Sequence, residues 1–246
     1  MTRLLAIIAA SIAAAPAFAH HPTGGDAPQT VANGLLSGLA HPVIGIDHLA
    51  FIVLVGLAAA GSARLVAGPA AFIAGTVIGT LVHLGGVTLP LAPLVIGLAT
   101  VALGALLIAG RKVSGPLALA GFALAGLFHG WSYGGAVIGA TTMPIVAYLV
   151  GFALIQFAIA AGIAWFARSL TADAEAPAWF QPRIAAALCV GVGIAVFALE
   201  VEDMVEQASA QGSVVEAAQE EPAQEAHDHD HDHDHGHDDA HDHDHD

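Results

Sequence analysis

The chain has 246 residues, 56% hydrophobic and only 11% charged, with 28 glycines, whereas a soluble domain carries about 25% charged residues; a soluble fold is excluded. The formal charge of −15 is concentrated at one end: 17 of the 21 acidic residues lie in 200–246, the others being Asp26, Asp47, Asp173 and Glu175, so the rest of the chain is a nearly neutral apolar body and no nucleic-acid partner is expected. The single cysteine, Cys189, excludes an intramolecular disulfide and a thiolate metal cluster.

Residues 1–19 read as a secretory signal peptide: Arg3, an apolar run over 4–15, then Ala17-Phe18-Ala19. An uncleaved first anchor is the alternative. Cleavage makes His20 the new N-terminus, where the α-amine and its own imidazole can chelate a metal and His21 can add a third nitrogen. The plainer reading is two polar residues marking a cleavage site. Residues 20–32 then form a periplasmic segment.

Hydropathy predicts an all-α polytopic membrane domain over 33–204, with spans near 33–60, 66–87, 90–110, 115–136, 142–168 and 183–204. The first is long enough for a half-helix, a break between Pro42 and Gly45, and a full crossing. With six spans and a cleaved leader, Arg64, Arg111, Lys112, Arg168 and Arg183 all fall on the cytoplasmic side. An odd number of spans would scatter them. Both termini are then periplasmic, and the chain sits in a bacterial inner membrane. Gly34/Gly38, Gly75/Gly79, Gly126/Gly130 and Gly130/Gly134 have the small-residue spacing that lets membrane helices approach closely.

The stretch GLAHPVIGIDHLAF at 38–51 sets His41, Asp47 and His48 in an apolar run. An Asp at the bilayer centre costs roughly 2.5–3.5 kcal/mol on insertion scales, so intramembrane charge implies function. Pro42 removes a backbone donor and Gly45 loosens the chain. A helix broken here is tolerated only where it is buried in protein or lines a wet cavity. Along an unbroken helix His41 and His48 would stand about 10 Å apart, so one small ion reaches both only if the break folds them together. Asp47 and His48 point about 100° apart and need not hold the same ion.

Two further histidines lie in the membrane body. His83 shares a face of span two with Thr76 and Thr80, and an interhelical hydrogen bond is its simplest role; His129 sits among glycines in GLFHGWSYG, open to either reading. Imidazole plus carboxylate suits Ni²⁺, Zn²⁺ or Co²⁺ better than Ca²⁺ or Cu⁺, with only Met143 or Met204 offering sulfur. Residues 205–246 are expected to be a disordered acidic tail. Within it His227, His229, His231, His233, His235, His237, His241, His243 and His245 alternate with aspartates, a multidentate trap for divalent transition metals. Capture should fail below about pH 6, where imidazole protonates.

The pattern His41-Pro42-Val43-Ile44-Gly45-Ile46-Asp47-His48 resembles the HPxxGxDH signature of the HupE/UreJ family of nickel and cobalt permeases. Phe128-His129-Gly130, followed by Tyr133-Gly134 and the 144–156 segment, resembles that family's second motif region; so do the leader and the HHP start at His20. The likeness covers roughly 20–168 and not the tail. It departs from the family pattern at Gly135, where relatives often carry an acidic residue. The resemblance implies uptake of nickel, or sometimes cobalt, for hydrogenase, urease or cobalamin metalation.

The expectation is therefore a permease, not an enzyme, whose partners are a divalent metal ion and the lipid bilayer and which holds no permanent cofactor. No GxxxxGK[ST] loop is present to couple ATP. One rival is an intramembrane zinc hydrolase built on His41, His48, His83, His129 and Asp47, against which stand the missing HExxH and serine partner. Another is a metal buffer or sensor acting through the tail alone.

Overall fold

The computed structural model describes residues 27–63, 65–172 and 182–225, and over them the chain is helical with no strand. The expected signal peptide, His20, His21 and the tail histidines lie outside the described residues. The helices are α1 (Val31–Ile44), α2 (Ile46–Ala60), α3 (Ala67–Leu84), α4 (Ala92–Ile108), α5 (Pro116–Gly134), α6 (Thr142–Ala172) and α7 (Pro182–Glu225), with a 3₁₀ turn at Gly135–Val137. The chain divides into two compact units, Met1–Val201 and Glu202–Asp246.

Local chemistry sets most of the helix ends. The Thr30 hydroxyl caps α1 by accepting from the Asn33 N–H at 3.1 Å. Pro93 and Pro116 stand in the first turns of α4 and α5, where a missing N–H costs nothing. α7 continues past 204, where the disordered tail was expected to begin, as far as Glu225. The added stretch is rich in Ala, Gln and Glu, which favour helix even without an apolar face.

Each expected span contains a helix, but not every helix qualifies as a crossing. Among the described residues three are long and apolar enough, within Ala67–Leu84, Thr142–Leu170 and Pro182–Gln211, and the bent pair α1–α2 makes a fourth if counted as one span. α4 has 17 residues, about 25 Å against a hydrocarbon layer of about 30 Å. α5 has 19, but His129, Trp131, Ser132 and Tyr133 make its last turns polar.

α2 lies at the centre of the first unit, with Ile52, Leu54 and Val55 wholly buried and Phe51 nearly so. Around it the helices pair through glycine. α3 and α5 form the most intimate pair: side chains at Gly75 and Gly79 would strike the Ala123 and Leu127 carbonyls, and side chains at Gly126 and Gly130 the Phe72 and Thr76 backbones. α1 meets α6 in the same way, with Gly34 and Gly38 against the Pro144 and Tyr148 carbonyls. Thr80 donates across the first pair to the Gly130 carbonyl at 2.8 Å, a bond worth about 0.6 kcal/mol between membrane helices. The outer surface is apolar, with Leu36, Leu117 and Trp165 among its exposed side chains.

Candidate functional site

The break expected in the first span lies at Gly45, and there the axes of α1 and α2 bend by 79°. Pro42 sits inside α1, one turn before the corner. The ladder is carried across the corner by the Gly45 N–H to the His41 carbonyl at 3.1 Å and the Leu49 N–H to the Gly45 carbonyl at 2.9 Å. Glycine is required sterically as well: a Cβ at Gly45 would stand 2.7 Å from His48 Cδ2 and 3.3 Å from Asp47 Oδ1. His41 thus lies in the last turn of α1, and Asp47 lies in the first turn of α2, where the helix dipole favours a carboxylate.

The corner closes the distance that an unbroken helix would hold open. The rings of His41 and His48 are 6.2 Å apart between centroids. Tyr133 from α5 packs against both, 5.0 Å from His41 and 4.3 Å from His48. His129 is the third imidazole in line, 5.4 Å from His48. All three histidines are buried, and Asp47 Oδ2 lies 3.8 Å from His48 Nε2.

His129 is held in one tautomer. A carbonyl only accepts, so Nδ1 carries the hydrogen it donates to the Ala125 carbonyl at 2.9 Å. Nε2 is therefore the lone-pair nitrogen, buried and without a hydrogen-bond partner among the described residues. A backbone carbonyl fixing one ring nitrogen so that the other can ligate is the usual support of a metal-binding imidazole. Phe51 and Phe72 pack on the ring at 4.5 and 5.4 Å and hold its plane.

A cavity of about 220 Å³ opens beside these groups, with His41, Asp47, His48, Ser132 and Glu200 as its polar lining and Pro93, Ile96, Gly135, Ala136 and Val196 as the rest. His129 is outside this lining, one ring behind His48. Among the described residues no three His, Cys, Asp or Glu side chains converge to hold one metal ion. Met143 and Cys189 do not line the cavity.

His83 is not brought to this cluster. It stacks on Trp131 with centroids 4.6 Å apart and lines a different cavity, of about 440 Å³, with Leu84, Val87 and Thr88. The face it shares with Thr76 and Thr80 is divided in use. Thr80 bonds to α5, and Thr76 accepts from Gln156 of α6 at 3.4 Å, while His83 packs over Gly134 beyond them.

Sequence reasoning passed over Ser132, Tyr148 and Glu200. Tyr148 is buried 6.1 Å from His41 and donates its hydroxyl to the Tyr133 carbonyl. Glu200 reads in the sequence as the first of a run of solvated acids. The signal that marks it is the one that marks Asp47, a carboxylate inside an expected span.

Comparison with known proteins bears on the same residues. Residues 8–197 match the family model described as HupE / UreJ protein. Among curated proteins, the Protein HupE of Rhizobium leguminosarum bv. viciae is 29% identical over 153 residues, 57% of this chain and 78% of that protein. No solved structure matches the chain. The matched segment takes in His41, Asp47, His48, His83 and His129 and ends before Glu200.

Proposed function

This chain belongs to the HupE/UreJ family, and on that premise we propose that it is an inner-membrane permease importing a divalent transition metal, with Ni²⁺ the first candidate and Co²⁺ the next. In this reading the chain crosses the membrane six times, α1 and α2 together forming the first, interrupted crossing. The leader is removed, the basic residues Arg64, Arg111, Lys112, Arg168 and Arg183 face the cytoplasm, and both termini face outward. His20, His21 and the alternating His/Asp tail gather metal outside.

The observation that carries the reading is the corner at Gly45, which sets His41, Asp47 and His48 around one cavity. Buried imidazoles beside a carboxylate form the nitrogen–oxygen set that borderline divalent metals prefer. Among the described residues no triad closes on a point, so the donors act in succession: His41, Asp47 and His48 receive the ion and replace its water, and His129 Nε2 takes it onward. Weak, successive sites suit a permease, in which an ion that binds must also leave. The membrane potential suffices as drive. Two charges moving down 100 mV are worth about 4.6 kcal/mol, accumulation on the order of a thousandfold.

Radiolabelled Ni²⁺ uptake by cells expressing His48→Ala should fall at least tenfold at unchanged protein level, while a chain ending at Gln224 should lose uptake only when metal is scarce. Wild-type uptake by His48→Ala would remove the corner from the mechanism.

A further inference from the structure

We propose that Glu200 is the second carboxylate of the corner cavity and the group that, with Asp47, receives a divalent cation while it still carries water. The inference rests on the permease reading above and adds to it a residue outside the matched family segment.

Glu200 belongs to the same compact unit as the corner. From 184 to 199 α7 carries no charged side chain, and the neighbours Phe197, Leu199 and Val201 are exposed apolar residues. A carboxylate on such a surface is costly in lipid unless it turns to a polar space. Glu200 has one. It is half-buried, and with Val196, one helical turn earlier, it lines the cavity of His41, Asp47, His48 and Ser132. Gly135 and Ala136 line it, and a Cβ at Gly135 would meet nothing within 4 Å.

Charge and volume then agree on the occupant. Asp47 and Glu200 bring two carboxylates to one cavity, a charge that a divalent cation between them would balance. A volume of about 220 Å³ equals roughly seven waters at about 30 Å³ each, room for a dication with most of a six-water shell. Spread around such a space, these donors meet the ion through its waters before any one of them ligates it, which fits a lining where no three converge. The ligand class is thus a hydrated divalent transition-metal ion, recognised by paired carboxylates and stripped by imidazole.

The test is radiolabelled Ni²⁺ uptake as a function of concentration by cells expressing the full chain, normalised to protein in the membrane, for wild type, Glu200→Gln, Glu200→Asp and His48→Ala. The expected result is a half-saturating Ni²⁺ concentration raised about tenfold in Glu200→Gln with little change in maximal rate, substantial recovery in Glu200→Asp, and loss of uptake in His48→Ala. Wild-type saturation in Glu200→Gln beside an inactive His48→Ala overturns the Glu200 proposal and leaves the permease reading standing. A defect in Glu200→Gln confined to the amount of protein, or equal loss per molecule in the Gln and Asp variants, overturns it too, because a charge-binding role requires the shorter acid to rescue. Full uptake by His48→Ala removes the corner, and the Glu200 proposal with it, from the mechanism, whereas wild-type uptake no greater than in cells lacking the chain overturns the permease reading itself.

Discussion

The α3–α5 pair and the α1–α2 corner are built from the same residue types, glycine, histidine and small polar side chains, yet they put them to opposite uses. Between α3 and α5 the glycines remove side chains so that backbones touch, and Thr80 spends its hydroxyl on a neighbouring carbonyl. At the corner Gly45 removes a side chain so that the chain can turn and His48 can stand where a methyl would push it. The first arrangement fills space, and the second leaves a cavity lined by imidazoles and carboxylates. The lesson is that a polar residue in an apolar helix declares its role by whether its partners are backbone groups of the next helix or an open volume.

The contrast can be broken most severely on the packed side. Gly130→Ala forces a Cβ into the Thr76 backbone, an overpacking that should cost about 3 kcal/mol or more; thermal unfolding in detergent should show a markedly lower midpoint, and uptake should fall only as far as folded protein does. Gly45→Ala should do the reverse. Its methyl displaces His48 and Asp47 rather than a helix, so uptake per molecule should drop several-fold while the unfolding midpoint moves little. The smallest effect is expected at His83, which stands on Trp131 away from the corner. His83→Ala should leave Ni²⁺ uptake within about twofold of wild type at a stability cost near 1 kcal/mol, and a tenfold loss of uptake would bring His83 into the ion path.

Much of this division was legible in the sequence, and where it was not the reason is physical. An acid and two imidazoles near Pro42 and Gly45 demand a break, because lipid tolerates neither the charge nor the freed backbone. The bend falls at Gly45 rather than Pro42 because α1 absorbs the one bond the proline removes, whereas Gly45 adopts an extended ψ of 99° that ends the helix. His83 and His129 could not be separated by residue type, since each lies on an apolar helix near small residues. Their fates depend on how α3 and α5 are rotated about the glycine seam, which only long-range packing decides. Glu200 was hidden by its company, the first acid of a long acidic run, although it directly follows the uncharged stretch 184–199 of α7. Hydropathy marks six spans, while length and composition single out three of the described helices and the bent pair as long and apolar enough to cross, because α4 is short and α5 ends in polar side chains.

The shortness of α4 has a consequence for the ion itself. In the six-crossing reading proposed above, its 17 residues cover about 25 Å of an acyl layer of about 30 Å, and the surrounding leaflets would be pinched toward each other. Pro93 and Ile96, which flank the cavity, belong to this same helix. On that reading the electrostatic self-energy of a bare dication, which grows with the thickness of insulating oil around it, would be lowered on the flank where the dehydrating ion would rest.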